Sequence, residues 1–318
     1  MIGERTVEGL PALTLATSEG GGIEVAFLPD GGMVGCSLRH RGEELLGQRG
    51  GVRTYVAERG TMGIPLLYPW ANRLARTRFP VAGREVDLEM PSTPVSVDPN
   101  GLPIHGLLAG ASGWRVERHE TLQDGAVLAA AFDFGSHDEL IAAFPFPHEL
   151  WLEATLGETT LTIATTVRAP DDVSVPISFG YHPYFRLPGV DRADWEIEIP
   201  VHERLRLDSQ LLPMGEREEH RVAGGRLGSR TFDDAYVAPE GSAPFVLAGG
   251  GRRIEVTLET GYPYAQVYAP ADDDVVAYEP MTAPTNALVV GAPDLILLAP
   301  GDSYEATFSV TVVDAADV

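Results

Sequence analysis

The chain has 318 residues and a net charge of −23, from 23 basic and 46 acidic side chains. That imbalance argues against nucleic acid and against anionic membrane surfaces as partners. A single cysteine, Cys36, leaves no intramolecular disulfide and no thiolate metal cluster.

From the N-terminus, Met1-Ile2-Gly3-Glu4-Arg5 lacks the apolar run of a signal peptide, and no later run approaches a membrane span, so a cytoplasmic protein is expected. Ile23, Val25 and Phe27 then alternate with Glu24 and Ala26, the period of a half-buried strand. Arg41–Leu46 and Asp138–Phe144 are the best helix candidates in a chain that otherwise lacks helical spacing. Period two returns in Leu150–Leu156, Leu161–Val167, Trp195–Ile199, Ile254–Leu258 and Tyr304–Val312. Gly20-Gly21-Gly22, Asp30-Gly31-Gly32, Asp124-Gly125 and Gly249-Gly250-Gly251 read as turns. Leu212–Gly228 is polar and charged and reads as a surface excursion. Sheets this numerous, with few helices to cover them, must bury their faces on each other. An all-β fold follows, a large antiparallel β-sandwich. Length alone suggests about two domains. No linker, repeat or change of composition marks a boundary, so one domain over residues 1–318 is expected.

Three irregular stretches interrupt the strands: Gly63–Phe79, Asn100–Trp114 and Asp274–Leu288. Each mixes Pro or Gly with aromatics and one or two polar groups, the make-up of loops that carry binding and catalysis. A fourth stretch, Pro176–Phe185, runs from a strand into a proline-locked aromatic turn holding His182, and Pro183 steers the backbone at His182 to extended geometry. An imidazole titrates near neutral pH and can give or take a proton there. Glu279 ends the apolar run Val275–Tyr278, a setting that desolvates a carboxylate and lifts its pKa. Together they form an acid and a base with separated proton affinities. Arg73, beside Asn72, can fork hydrogen bonds to hydroxyls, and Tyr68, Trp70 and Tyr181 offer ring faces to a sugar. Each has an ordinary alternative: a strand-end carboxylate, a packed histidine at His105 or His182, a surface arginine, turn formers at Asp233 and Asp234, core aromatics.

Other chemistries fare worse. There is no HExxH and the eight histidines are scattered, which speaks against a metal site. There is no GxGxxG between strand and helix, no P-loop and no GxSxG. A glycosidase built from Asp233 and Glu279 is conceivable, but it leaves His105 and His182 idle.

Taken in order, these pieces resemble the aldose 1-epimerase (mutarotase) family. The resemblance rests on Gly63-Ile64-Pro65, Pro69-Trp70-Ala71-Asn72-Arg73, Ile104-His105-Gly106, Phe144-Pro145-Phe146-Pro147, Phe179-Gly180-Tyr181-His182-Pro183-Tyr184-Phe185, Phe232-Asp233-Asp234-Ala235-Tyr236 and Glu279-Pro280-Met281-Thr282. It implies a sugar bound in an open cleft on one sheet and ring opening without a metal or organic cofactor. Glu279 would take the proton of the C1 hydroxyl and His182 would protonate the ring oxygen from the other side. His105 would hydrogen-bond near the reacting oxygens. Asn72, Arg73, Gln266 and Asp233, with Asp234 as the alternative register, would hold hydroxyls, and Tyr181 and Trp70 would stack on the ring. The expected partner is a small-molecule sugar, and the expected state a monomer or homodimer. Pro284-Thr285-Asn286-Ala287 departs from galactose mutarotases, leaving the sugar open. A hexose-6-phosphate epimerase using Arg76 and Arg78, and a non-catalytic sugar-binding protein, are the alternatives.

Overall fold

The structure is a computed structural model describing residues 1–17, 22–239, 241, 243–291 and 293–314. Period two becomes strand wherever one face can be buried. Glu149–Leu156 buries Leu150, Leu152, Ala154 and Leu156, and Thr160–Arg168 buries Leu161, Ile163, Thr165 and Val167. The two pair residue for residue, from Glu149 opposite Arg168 to Leu156 opposite Leu161. Each large apolar side chain withdrawn from water contributes about 1.5–3 kcal/mol.

These strands belong to a nine-stranded antiparallel sheet that also holds the long C-terminal strand Ser303–Asp314. An eight-stranded sheet faces it. Its order is Pro213–Glu219, Glu203–Leu207, Phe232–Val237, Tyr264–Ala269, Val276–Met281, Gly180–Tyr181 and Leu66–Leu67, with Tyr184–Phe185 also paired to Val276–Met281. The two inner faces meet in one apolar cluster running from Leu15 to Val312. Tyr278 of the eight-stranded sheet donates its hydroxyl to the Val246 carbonyl of the other at 2.6 Å, and the rings of Tyr181 and Phe308 lie 4.9 Å apart. An N-terminal sheet, Ile2–Val7 to Glu43–Glu44, adds five strands. The expected all-β antiparallel sandwich is the fold.

Alternation across the eight-stranded sheet positions everything that follows. Ala265, Val267 and Ala269, with Val276 and Tyr278, point into the core. Tyr264, Gln266 and Tyr268, with Glu279 and Met281, take the opposite face, which is the natural floor of a cleft.

Some expectations need correction. Arg41–Leu46 is not helical. It is a turn and a short strand, Glu43–Glu44, where the Glu44 carboxylate accepts from Ser37 Oγ and from the Leu38 and Leu46 N–H groups. A helix lies instead at Gly51–Glu58, where Val52, Tyr55 and Val56 have helical spacing but no capping side chain announces the start. Asp138–Ala143 is helical as expected, and Ala287–Val290 is a further short helix. Leu212–Gly228 is less of an excursion than its charge implied. Pro213–Glu219 is the outermost strand of the cleft sheet, tied to Glu203–Leu207 by Arg204–Glu218 and Arg206–Glu216 pairs. Charge is a usual way to keep an edge strand from pairing with another chain. Gly20 and Gly21 lie outside the described residues, whereas Gly32 turns the chain at φ 70°. Among the described residues no helix is long and apolar enough to cross a membrane.

Candidate active site

The alternation that sends Ile177 and Phe179 into the core also sends Tyr181 there, and leaves Gly180, His182 and Tyr184 toward the cleft. Gly180 pairs with Met281 on one side and Leu67 on the other. A Cβ at Gly180 would meet the Pro280 carbonyl oxygen at 2.5 Å, so only glycine lets these two backbones lie so close. Thr282 locks the approach: its N–H and its hydroxyl both donate to the Phe179 carbonyl at 2.9 Å. His182 and Glu279 are thereby brought together, with His182 Nε2 3.1 Å from Glu279 Oε1. Both are buried, at 5% and 2% exposure. They touch each other directly, where the sequence had set them on opposite sides of a ligand.

The opposite wall is made by two loops that clasp each other. Arg73 bridges to Ile104, the His105 N–H donates to the Asn72 carbonyl at 3.0 Å, and the Leu74 N–H to the Pro103 carbonyl at 2.9 Å. Asn72 and His105 both adopt left-handed backbone, φ 58° and 64°. Such conformations at side-chain-bearing residues cluster at functional sites. Arg73 is fixed at three points. Its Nε donates to Asp98 at 2.8 Å, one terminal nitrogen to Asn72 Oδ1 at 2.9 Å, and the other lies 3.9 Å from Asp233. On the floor, Gln266 sits opposite Glu279 in register and donates to Asp233 Oδ1 at 2.6 Å. Around His182, Tyr184 stacks at 4.1 Å, and His105 and Tyr268 meet it edge-on at 5.5 Å.

Four buried polar atoms here have no hydrogen-bond partner among the described residues: Glu279 Oε2, His182 Nδ1, His105 Nδ1 and Gln266 Oε1. Buried polar groups are ordinarily hydrogen-bonded, and leaving one unpaired costs about 1–3 kcal/mol. Four in one place mark a site built for a polar ligand. Burial raises Glu279 well above the ordinary carboxylate range; Asp233 adds to this and Arg73 opposes it. Burial likewise drives His182 well below the ordinary imidazole range, with His105, Arg49 and Arg73 pushing the same way. His105 is pushed down to about 3 by burial, then by Arg73 and Arg49. Asp233 is raised by burial, against the pull of Arg73 and Gln266. Asp98 moves the other way: burial raises it, but the Leu102 and Asn100 N–H groups and Arg73 hold it below its ordinary value.

The sequence model described as aldose 1-epimerase matches residues 14–311. The chain belongs to the aldose 1-epimerase family. Galactose mutarotase of Rattus norvegicus is 29% identical over 150 residues, 46% of this chain and 39% of that protein. The match thus spans less than half of that relative's length. A galactose mutarotase-like protein from Clostridium acetobutylicum has a TM-score of 0.82 at 18% identity, over 99% of this chain and 98% of its own. Galactose 1-epimerase from Lactobacillus acidophilus NCFM gives 0.75 at 15% identity, over 99% and 98%. At such identity the likeness to solved structures shows the fold.

Of the residues the epimerase resemblance named, the structure gathers Glu279, His182, His105, Asn72, Arg73, Gln266 and Asp233. Asp234 falls on the other face and pairs with Arg204 at 3.3 Å, so of the two aspartates Asp233 is the one beside Arg73 and Gln266. Two expected residues are corrected. Tyr181 lies in the core, its hydroxyl 2.6 Å from Thr165 Oγ1. Trp70 is fully buried in the same core and offers no face to a ligand. Tyr68, the third ring considered for stacking, bonds His148 at 2.6 Å in the core. Three residues went unnoticed: Asp98, which orients Arg73, and Tyr268 and Arg49 beside His182. Tyr268 was findable, two places beyond Gln266 on the same strand face. Arg49 and Asp98 carry no local signal.

Other features do not compete for the chemistry. A cavity of about 550 Å³ lies between the outer strand and the Ala287–Val290 helix, but its Arg217 is engaged by Tyr264 and Asp294. Cys36 is buried and its thiol is pushed up to about 12, away from any nucleophilic role. Among the described residues no three His, Cys, Asp or Glu side chains are grouped to hold a metal ion.

Proposed function

We propose that this protein is an aldose 1-epimerase, interconverting the α and β anomers of a free aldose by ring opening and closure. The observation that carries the reading is the buried 3.1 Å contact between His182 and Glu279, with an unpartnered atom left on each. Burial disfavours both a net positive and a net negative pair, so the pair holds one proton across a wide pH range. At rest it sits on Glu279, and the 3.1 Å contact lets it cross to His182. With it on His182, Glu279 is a carboxylate base and His182 an imidazolium acid. Glu279 takes the proton of the C1 hydroxyl while His182 protonates the ring oxygen, the C1–O5 bond breaks and the aldehyde forms. The pair now has its proton on Glu279. After rotation about C1–C2, neutral His182 takes the proton of the C5 hydroxyl as it attacks, and Glu279 returns its own to the carbonyl oxygen. The pair ends as it began, with no proton drawn from solvent. His105, Gln266, Asp233, Arg73 and Asn72 supply donors and acceptors for the sugar hydroxyls.

The paired-carboxylate alternative is weaker, because Glu279 is bonded to an imidazole and Asp233 to Gln266. The sugar-phosphate alternative loses support as well: Arg78 is already paired with Asp87 and Glu89. Polarimetry on freshly dissolved α-D-glucose, α-D-galactose and 6-phosphorylated aldoses tests the reading. Faster mutarotation of a free aldose is expected. Relaxation at the spontaneous rate for every sugar means a binder, and acceleration confined to phosphorylated sugars means the other epimerase.

A further inference from the structure

Against His182 three groups are layered. The imidazole lies on the ring of Tyr184 at 4.1 Å and 16°. The guanidinium of Arg49 lies over the Tyr184 ring, 4.8 Å from its centre. Asp273 holds Arg49 at 3.3 Å, and the Tyr184 hydroxyl is anchored 2.6 Å from Thr61 Oγ1. The backbones are in register too. The Gly47 N–H donates to the Tyr184 carbonyl at 2.7 Å and the Arg186 N–H to the Leu45 carbonyl at 2.8 Å.

We propose that Arg49 is a positioning residue for the His182–Glu279 pair, acting through the face of Tyr184. A cation over a tyrosine face is attracted by the ring's negative quadrupole, so Arg49 steadies the ring against which His182 lies flat. The same cation makes a second positive charge on His182 costly, which sharpens the imidazolium as a donor. The two spacings, 4.1 and 4.8 Å, put it at most about 9 Å from the imidazole. At the effective dielectric of a protein site that distance is worth on the order of one pH unit in the imidazole's titration, less where water screens it. The other groups facing His182 are Glu279, the His105 edge, the Tyr268 edge and, across the cleft, Arg73. Arg49 itself faces Tyr184, Tyr268 and Asp273. Arg49 and its counter-ion Asp273 can be changed without touching the groups assigned to the sugar.

The inference rests on the epimerase reading for its consequence, so its test has a readout that needs no turnover. The His182 imidazole is titrated by NMR in ¹⁵N-histidine-labelled wild type, Arg49→Leu, Arg49→Lys and Asp273→Asn, with the resonance assigned by its loss in His182→Asn. The pH profile of anomer exchange is followed in parallel. In Arg49→Leu the imidazolium appears at higher pH, and the acid limb moves up by about 0.5–1 pH unit. Arg49→Lys keeps the charge and stays near wild type. Asp273→Asn unmasks the charge and moves the limb down. An unmoved titration in folded Arg49→Leu, an equal displacement in Arg49→Lys, or an upward one in Asp273→Asn overturns the proposal. If Arg49→Leu does not fold, the sign seen in Asp273→Asn decides. Titrations that move as stated in a protein that accelerates no sugar would sink the epimerase reading and leave this one standing.

Discussion

His148 and His182 are two histidines of equal burial, each 5% exposed. Each lies flat on an aromatic ring, His148 on Phe134 at 4.6 Å and His182 on Tyr184 at 4.1 Å. Burial lowers both, His148 to about 4. They differ in what their nitrogens meet. His148 Nδ1 donates to the Phe146 carbonyl and Nε2 accepts from the Tyr68 hydroxyl, both at 2.6 Å, so its capacity is used up inside the fold. His182 spends one nitrogen on a buried carboxylate and leaves the other free. Burial and a perturbed proton affinity are therefore common to both. What separates them is unused hydrogen-bonding capacity beside an acid.

The hardest test of that contrast is to disable each histidine's partner. Glu279→Gln keeps the shape and removes the base, and His182→Asn removes the acid. Each should slow anomer exchange by roughly 10²–10⁴ in polarimetry. Near-wild-type turnover in either would collapse the distinction. His148→Leu should do the reverse. It strands the Tyr68 hydroxyl and costs about 1–3 kcal/mol in urea unfolding, with exchange changed less than about threefold. Loss of exchange in folded His148→Leu would show that both histidines matter to the chemistry.

The pH dependence of stability separates His148 from Glu279 rather than from His182. His148 binds its proton more weakly folded than unfolded, so its contribution is complete above pH about 6.5 and is lost as pH falls toward about 4. Up to about 3 kcal/mol is at stake, and the gap between urea midpoints at pH 7 and 4.5 should narrow in His148→Leu, with His105 and His182 keeping the remainder. Glu279 is raised, so its effect has the opposite sign: stability is favoured at low pH and lost as pH rises through its folded value. Glu279→Gln should flatten the alkaline decline and leave the acid one. The smallest effect is expected at Tyr181→Phe. Losing its bond to Thr165 should cost about 1 kcal/mol while exchange stays within about twofold. A large drop in rate would return Tyr181 to the cleft.

The sandwich was legible because alternation is a property of neighbours: Leu150 to Leu156 and Leu161 to Val167 announce their buried faces without help from the rest of the chain. His182 and Glu279 were legible as candidates because the motifs holding them are local. The errors have two sources. Tyr181 was misjudged although Ile177 and Phe179 already fixed its side; chemical suitability for stacking displaced the periodicity argument. Arg49, Asp98 and the helix Gly51–Glu58 were missed for a different reason. Their roles come from groups distant in the chain, Tyr184 for Arg49 and Arg73 for Asp98, and no spacing around them records that meeting.

Gly180 carries a consequence larger than its size. His182 and Glu279 come from separate segments, and how near they lie is set by a backbone approach that one added methyl would block. A mutation to alanine there would leave every reactive atom in the sequence and pry the two partners apart. Screens that look only for lost histidines and carboxylates would miss such a variant, because its defect is a bump where the protein needs nothing.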